Sequence, residues 1–276
     1  MSGASDPLAA LPPLREVIRE HGLRAEKKLG QNFLLDQNLT RKIARQAGVL
    51  TGTVFEIGPG PGGLTRAILM ETDANVIAIE YDTRAIGALQ GLVEAAQGRL
   101  TLIHGDALNT DLTALAPEGP RHIVANLPYN IATPLLTGWL EQVRERRAFQ
   151  SMTLMFQKEV AQRIVADAGS KMYGRLAVLT QWLCDAKLMM SVPASAFTPP
   201  PKVTSAIVRL LPRDLPADAP AFHAIERVTA AAFGQRRKML RGSLKDYADK
   251  MAALSINPEL RAEDLPVADY IRLARD

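Results

Sequence analysis

Cysteine is nearly absent from this 276-residue chain, which contains only Cys184. A single thiol excludes a disulfide framework and any zinc site built on cysteine ligands. Cys184 lies in an apolar run beside Trp182-Leu183, and this context indicates a buried structural thiol rather than a nucleophile. Such sparing use of cysteine is typical of a reducing compartment, and we therefore predict a cytoplasmic protein.

Histidine is also scarce. The four residues show neither a metal-binding spacing nor that of a catalytic triad: His21, His104, His122 and His223. We interpret them as structural and expect no metal ion. No apolar run approaches the length that spans a bilayer, and the first residues lack a signal-peptide pattern, so we expect no membrane association. Because no coiled-coil repeat or large apolar interface is visible, we expect a monomer.

The residues that are present suffice for one large domain and a small one, since 47% of the chain is apolar. The formal net charge of +4 is mildly basic. This balance permits an anionic partner without requiring one.

From residue 53 onward, apolar strands alternate with helices, and glycines follow the first of these strands directly. The run Thr53–Ile57 leads into Gly58-Pro-Gly60-Pro-Gly-Gly63, after which a helix opens. Glycine lets a backbone approach a ligand closely, and a helix start offers unpaired amides. The glycine spacing fits a dinucleotide fingerprint, but by itself it does not distinguish a nicotinamide cofactor from S-adenosylmethionine.

Polar residues end the next strands. Glu80 follows the second strand, where a carboxylate can take both ribose hydroxyls of either cofactor. Asp106 follows the third strand, as an acceptor for an adenine amino group. Because ligands bind at the carboxyl ends of parallel strands, we expect these residues at one edge of one sheet.

The fourth strand, His122-Ile-Val-Ala125, ends in Asn126-Leu127-Pro128-Tyr129. Proline removes a backbone donor and fixes φ, so the carbonyl before it points away from a sheet ladder. An amide side chain, a carbonyl and an aromatic face then project from one strand end. Together they can bind the exocyclic amino group of a base and stack on the ring that carries it. In isolation, such a cluster is more often an ordinary turn with a surface tyrosine.

Taken in order, these motifs resemble the ribosomal RNA adenine N6,N6-dimethyltransferase family. The chain is most similar to its bacterial members, which dimethylate two adjacent adenosines in the 3′-terminal hairpin of small-subunit (16S) rRNA. The resemblance extends from Lys28 to the end of the chain and includes further segments: Lys28-Leu-Gly-Gln-Asn-Phe-Leu34, Glu56-Ile-Gly-Pro-Gly-Pro-Gly-Gly-Leu-Thr65, Phe156-Gln-Lys-Glu-Val160, Tyr173-Gly-Arg-Leu176, Ser195-Ala-Phe-Thr-Pro-Pro-Pro-Lys-Val-Thr-Ser205 and Ala232-Phe-Gly-Gln-Arg-Arg-Lys238.

The resemblance implies an α/β fold of the Rossmann-like, class I S-adenosylmethionine-dependent methyltransferase type. It has a mostly parallel seven-stranded sheet and a small C-terminal all-helical domain. The implied partner is the small ribosomal subunit with its 16S rRNA. We predict a flexible N-terminal segment (1–23), a methyltransferase domain (24–212) and a helical RNA-facing domain (213–276), with a proline-rich linker at the second boundary.

The resemblance also implies roles for individual residues. The cofactor would be held by Asn32, Leu34, Gly58, Gly60, Glu80, Asp106 and Asn126. The target N6 would be bound by Asn126 and the carbonyl of Leu127, held by Pro128, while Tyr129 and Phe197 would sandwich the flipped base. The prolines after Phe197 argue for an exposed rigid loop around that ring. We name no catalytic base, because in-line transfer needs orientation more than proton removal.

Cations cluster early in the predicted helical domain, at Arg236, Arg237, Lys238, Arg241 and Lys245. We predict helices over about 221–233, 236–251 and 267–275. On the second of these, Arg237, Arg241 and Lys245 follow an i, i+4, i+8 spacing and would form a basic ridge able to track phosphates. A helix face that is simply exposed to solvent is the more common explanation of such a run of charged residues.

Three other functions are compatible with part of this sequence. The related large-subunit (23S) rRNA methyltransferases of macrolide resistance share the core motifs, although Thr133-Pro134 and Gln235-Arg-Arg-Lys238 resemble the small-subunit branch. A nicotinamide oxidoreductase shares the glycine loop but has no use for Asn126-Leu-Pro-Tyr129. An assembly factor with mainly a binding role would keep binding pre-subunits when Glu56 or Asn126 is replaced.

Overall fold

A computed structural model describes residues 6–26 and 30–275. The first five residues of the predicted flexible segment lie outside this range, as does Lys28, which opens one of the family motifs. No helix in the described ranges is long and apolar enough to cross a membrane. Within the same ranges, no group of three or more His, Cys, Asp or Glu is placed to hold a metal ion.

A seven-stranded sheet in the order β4-β3-β2-β5-β6-β9-β7 is the centre of the fold. Its first five strands in this order are parallel to one another. A separate antiparallel pair joins β1 to β8. The strands are β1 (Phe33–Leu34), β2 (Thr53–Ile57), β3 (Asn75–Glu80), β4 (Leu100–His104), β5 (Arg121–Asn126), β6 (Ser151–Gln157), β7 (Cys184–Val192), β8 (Phe197–Thr198) and β9 (Ser205–Pro212).

Burial on both faces explains why the central strands are mostly apolar. In β2 all but the first residue are buried, and β5 is buried from His122 to Ala125. Such continuous apolar runs are typical of parallel strands covered by helices on both sides. The register sets Ile57 beside Ile79 and Glu80 beside His104, so the ends of three strands lie at one edge.

Two compact units make up the described chain. The first comprises residues 1–135, 149–158 and 189–209. Its helices are α1 (Leu14–Glu20), which precedes the first strand, and α2 (Gln37–Gln46), α3 (Gly63–Glu71), α4 (Thr83–Ala88), α5 (Gln90–Ala95) and α6 (Leu112–Leu115), which follow β1 along the chain. As predicted, Asp36 caps α2, because its carboxylate accepts hydrogen bonds from the amides of Asn38 and Leu39.

The second unit comprises residues 136–148, 159–188 and 210–276. Stacked and edge-on aromatic rings fill its core, with Phe233 between Tyr173 and Tyr270 and Trp182 against Phe222. It holds most of α7 (Ala132–Arg146) together with α8 (Lys158–Ile164), α9 (Arg175–Leu183), α10 (Phe222–Gly234), α11 (Leu240–Ser243), α12 (Ala248–Ala253) and α13 (Val267–Ala274). The predicted domain limits, 24–212 and 213–276, remain a prediction.

Cys184 is fully buried, and burial raises the pKa of its thiol to about 12. The prediction of a buried structural thiol is therefore confirmed.

The predicted helix over 236–251 is wrong. The chain forms turns at residues 235–238, the short helix α11, a 3-10 turn at Lys245–Tyr247 and then α12. A bridge between Met239 and Arg261 interrupts the helix, because the Leu240 amide donates to the carbonyl of Leu260 instead of to its own preceding turn. The i, i+4, i+8 ridge of Arg237, Arg241 and Lys245 therefore does not exist.

Candidate active site

A cavity of about 280 Å³ opens at the carboxyl edge of the parallel strands. The polar residues predicted at the ends of β2, β3, β4 and β5 all contribute to its wall. Its lining includes Asn32, Leu34, Glu56, Gly58, Gly60, Glu80, Asp106, Asn126, Leu127, Pro128 and Tyr129. The structure thus brings together every predicted cofactor residue and every predicted base-binding residue except Phe197.

The loop after β2 favours glycine for two reasons: its backbone has positive φ angles, and it packs closely against neighbouring side chains. Gly58 and Gly60 have φ angles of 66° and 55°, values that favour glycine. A Cβ atom at Gly60 would lie 3.1 Å from the ring of Phe33. The backbone of this loop therefore forms part of the cavity wall itself, without intervening side chains.

Glu80 connects the loop after β2 to the loop after β3. One carboxylate oxygen accepts a hydrogen bond from the Gly60 amide at 3.0 Å, and the other accepts one from the Asp82 amide at 2.8 Å. Burial raises the pKa of Glu80, and these two amides oppose that rise. The carboxylate is thus fixed in orientation where it borders the cavity.

Glu56 also borders the cavity, although it is not among the residues predicted to hold the cofactor. It is 1% exposed, and its Oε2 atom has no hydrogen-bond partner within the described residues. Burial raises its pKa to about 8, and the neighbouring Thr65 hydroxyl lowers it by less. A carboxyl group in an apolar strand directly before the glycine loop was the feature of the sequence that marked this residue.

We expect Glu56→Gln to change how stability depends on pH. The folded chain keeps this carboxyl protonated up to about pH 8, whereas the unfolded chain loses the proton near its ordinary value of 4.5. The free energy of unfolding should therefore fall as pH rises through this window, and the loss in the native protein should reach on the order of 3 kcal/mol. Glutamine has no proton to lose, so the variant should show a flatter profile.

Urea unfolding at pH 5, 6, 7 and 8 measures this effect. As a control, Glu71→Gln alters a carboxylate whose pKa is lowered by its hydrogen bond with Arg45. Parallel profiles for native protein and Glu56→Gln would show that Glu56 is ionised in the fold.

Asn126 is held by residues 31–34, which form part of the cavity wall. Its side-chain nitrogen donates to the carbonyl of Asn32 at 3.3 Å, which leaves Oδ1 as the available acceptor. Gln31 in the same segment donates to the Asp82 carboxylate at 2.9 Å. Leu34 follows in β1. Residues 31–34 are thus hydrogen-bonded both to Asn126 and to the loop after β3.

Asp106 is fixed by two contacts within its own turn, and Tyr129 by one contact with a distant residue. The Asp106 carboxylate accepts from the Leu108 amide and from the Asn109 side chain, which makes a tight turn beside the cavity. The Tyr129 hydroxyl lies 2.6 Å from the Ser205 hydroxyl. Burial raises the pKa of Tyr129, so the phenol remains protonated.

Phe197 does not lie on the exposed loop that its proline-rich neighbourhood predicted. It is 3% exposed, belongs to β8 and pairs with Leu34 of β1. Its ring is part of the hydrophobic core of the first unit. The expectation of exposure is wrong because the β1–β8 pair buries this side chain.

The five predicted RNA-binding cations are all exposed, but they differ in their contacts. Arg236 donates to the carbonyls of Lys171 and Tyr173 and pairs with Glu263 at 3.1 Å. Arg241 lies 3.6 Å from Glu259. For Arg237, Lys238 and Lys245, no carboxylate partner is present in the ranges that the structure describes.

The sequence matches the family of ribosomal RNA adenine dimethylases over residues 22–275. The chain belongs to this family. Ribosomal RNA small subunit methyltransferase A of Rhodospirillum rubrum is 55% identical over 276 residues, an overlap that covers 99% of this dimethylase and 94% of the relative.

Solved structures give the same result for the fold. A dimethyladenosine transferase from Plasmodium falciparum has a TM-score of 0.73 and 27% identity, covering 86% of this dimethylase and 94% of that chain. The 23S rRNA methyltransferase ErmE shares the fold, with a TM-score of 0.68, 24% identity and coverage of 88% and 98%.

The predicted family, the Rossmann-like methyltransferase fold and the enzyme class are therefore confirmed. The dimethylase is an enzyme that methylates adenine in ribosomal RNA. The nicotinamide oxidoreductase that the glycine spacing left open is excluded.

Proposed function

We propose that the cavity binds S-adenosylmethionine and that this dimethylase transfers methyl groups to N6 of two adjacent adenosines in the 3′-terminal hairpin of 16S rRNA. The observation that carries the proposal is that the glycine loop, Glu80, Asp106 and Asn126–Tyr129 line one cavity. The small-subunit target is supported by the relative from Rhodospirillum rubrum. Action on ribosomal subunits during their assembly also supports a cytoplasmic location.

The residues around the cavity fit the proposed cofactor. Bare backbone at Gly58 and Gly60 leaves room for close approach, and the fixed Glu80 carboxylate is suited to two ribose hydroxyls. Asp106 is suited to the adenine amino group, while Asn32 and Leu34 cover the ligand. The unpartnered Oε2 of Glu56 adds a buried polar atom that a ligand donor would satisfy. When bound, S-adenosylmethionine supplies a methyl group on a positively charged sulfur.

Asn126 and Leu127 orient the target nitrogen. The lone pair of an adenine amino group is delocalised into the ring, which makes the nitrogen a poor nucleophile. Two acceptors, Oδ1 of Asn126 and the carbonyl of Leu127, would bind its hydrogens and favour a pyramidal nitrogen, and Pro128 fixes the backbone between them and Tyr129. This positioning replaces a general base in the proposal.

Tyr129 and Phe197 provide the aromatic faces in the proposal. Stacking on aromatic rings offsets part of the free energy that flipping a base out of its stack costs. Tyr129 already lines the cavity. Since Phe197 is buried in β8, the β1–β8 pair must shift before its ring meets a base.

For RNA binding we propose Arg237, Lys238, Arg241 and Lys245. Exposed cations without carboxylate partners can neutralise phosphates without first breaking an ion pair, and this applies most directly to Arg237, Lys238 and Lys245. Arg236 was predicted with this group, but its contacts with two carbonyls and Glu263 indicate a structural role within its own unit.

Arg237→Glu should weaken binding to a hairpin of 16S rRNA and reduce the slope of log K against log salt by about one. The matched control is Arg227→Glu, which makes the same charge change at an exposed position of α10. Fluorescence anisotropy at several salt concentrations measures both slopes. Equal slopes for Arg237→Glu and the native chain would show that Arg237 contacts no phosphate in the complex.

The function itself is tested by transfer of labelled methyl groups from S-adenosylmethionine to undermethylated small ribosomal subunits, followed by mapping of the product. We expect dimethyladenosine at two adjacent positions near the 3′ end of 16S rRNA. Label in 23S rRNA instead would show the large-subunit activity. Retained subunit binding without transfer would show an assembly factor.

A further inference from the structure

Ser205 contacts the proposed base-stacking residue and has no assigned role. It is the first residue of β9, is fully buried and does not line the cavity. Its hydroxyl lies 2.6 Å from the hydroxyl of Tyr129, 76 residues earlier in the chain. The backbone just before it is fixed as well, because the carbonyl of Thr204 accepts a hydrogen bond from the Lys158 amide at 2.9 Å.

This contact determines how Tyr129 faces the cavity. A tyrosine in a turn usually points its hydroxyl at water, because a phenol loses solvation when it is buried. Here the hydroxyl points to a fully buried partner, and the ring is the part of the side chain left to line the cavity. Anchoring the far end of the ring removes its freedom to swing about the Cα–Cβ bond.

We propose that Ser205 is a positioning residue for methyl transfer, whose hydroxyl anchors Tyr129 and fixes the plane on which the target adenine stacks. The inference rests on the proposed function. Ser205 acts through Tyr129 and touches neither the base nor the cofactor. Because β9 is part of the central sheet, this contact connects the stacking face to a strand that is paired on both sides.

The chain supplies a matched control. Ser151 is the first residue of β6, is 4% exposed, and has its hydroxyl 2.8 Å from Nδ1 of His122. Both serines are thus buried at the start of a strand and share one hydrogen bond with a ring. Ser151 lies at the amino end of a parallel strand, and neither it nor His122 lines the cavity.

The test compares Ser205→Ala, Tyr129→Phe, the double variant and Ser151→Ala on undermethylated small subunits. Measurements are kcat, KM for subunits, the dissociation constant of S-adenosylmethionine and the melting temperature. We expect Ser205→Ala and Tyr129→Phe each to lower kcat about tenfold, the effect of one hydrogen bond of ordinary strength, with cofactor affinity unchanged. The double variant should lose no more than either single variant, since all three lack the same bond. Ser151→Ala should lose stability and keep the native kcat.

Each other outcome overturns the inference. It is overturned if Ser205→Ala retains native kcat, if the losses multiply in the double variant, or if Ser151→Ala loses as much kcat as Ser205→Ala. If Ser205→Ala does not fold, Tyr129→Phe removes the same hydrogen bond without altering β9, and native kcat in that variant overturns the inference. A native chain that binds S-adenosylmethionine but methylates no subunit overturns the proposed function instead, and is recognised before any variant is compared.

Discussion

Asn126→Ala is expected to lower the rate of methyl transfer about 100- to 1,000-fold, the usual cost of removing one preorganised polar group from a reacting centre. Its Oδ1 atom is the acceptor left over once Nδ2 has donated to the Asn32 carbonyl. Without it, one hydrogen of the target amino group has no partner, and the nitrogen lone pair is no longer directed. Cofactor affinity should fall by much less, about fivefold, because only the contact with the covering segment is lost.

Single-turnover methyl transfer on small subunits, together with calorimetric binding of S-adenosylmethionine, separates these two effects. Asn75→Ala is the matched control, since Asn75 is exposed at the first residue of β3 and does not line the cavity. If Asn126→Ala lost activity only in proportion to cofactor affinity, Asn126 would bind the cofactor and play no part in orienting the base.

Glu80→Ala should produce the opposite pattern, with an approximately 100-fold weaker affinity for S-adenosylmethionine and a rate that recovers at saturating cofactor. Each hydrogen bond to a carboxylate contributes about 1.5 kcal/mol, and the variant would lose the hydrogen bonds from two ribose hydroxyls. The loop after β2 also loses the acceptor for its Gly60 amide, which loosens the cavity wall. The variant should also lose some stability, because the amides of Gly60 and Asp82 lose their buried acceptor.

Titration calorimetry and methyl transfer at increasing cofactor concentration test this prediction. Glu71→Ala serves as control, because that half-buried carboxylate pairs with Arg41 and Arg45 and is absent from the cavity wall. An affinity within threefold of the native value would remove Glu80 from the cofactor site.

Residues at strand ends could be predicted from the sequence because the pattern there is local. An apolar run followed by glycine, glutamate, aspartate or asparagine gives both the strand and its end, and parallel topology then places those ends at one edge. Glu80 and Asn126 followed this rule. Glu56 has a local signal of its own, a carboxyl group directly before the glycine loop, but its raised pKa depends on complete burial, which the sequence does not show.

Predictions failed where distant segments override a local pattern. The cations after Arg236 have helical spacing, but the bridge from Met239 to Arg261 breaks the helix. The prolines after Phe197 do form an irregular segment, yet pairing with Leu34, over 160 positions earlier, buries the ring. Local propensity is a weak predictor wherever such a long-range pair forms.

The strand order of the sheet has a consequence for biosynthesis. β9 lies between β6 and β7, although it is the last of the seven strands to be synthesised. Until residues 205–212 have left the ribosome, β6 has an unpaired edge and β7 has no partner strand in the sheet, and exposed edges promote aggregation. Nascent chains arrested before this point should accordingly require chaperones, and folding of the full chain should be slow because its decisive pairings are non-local.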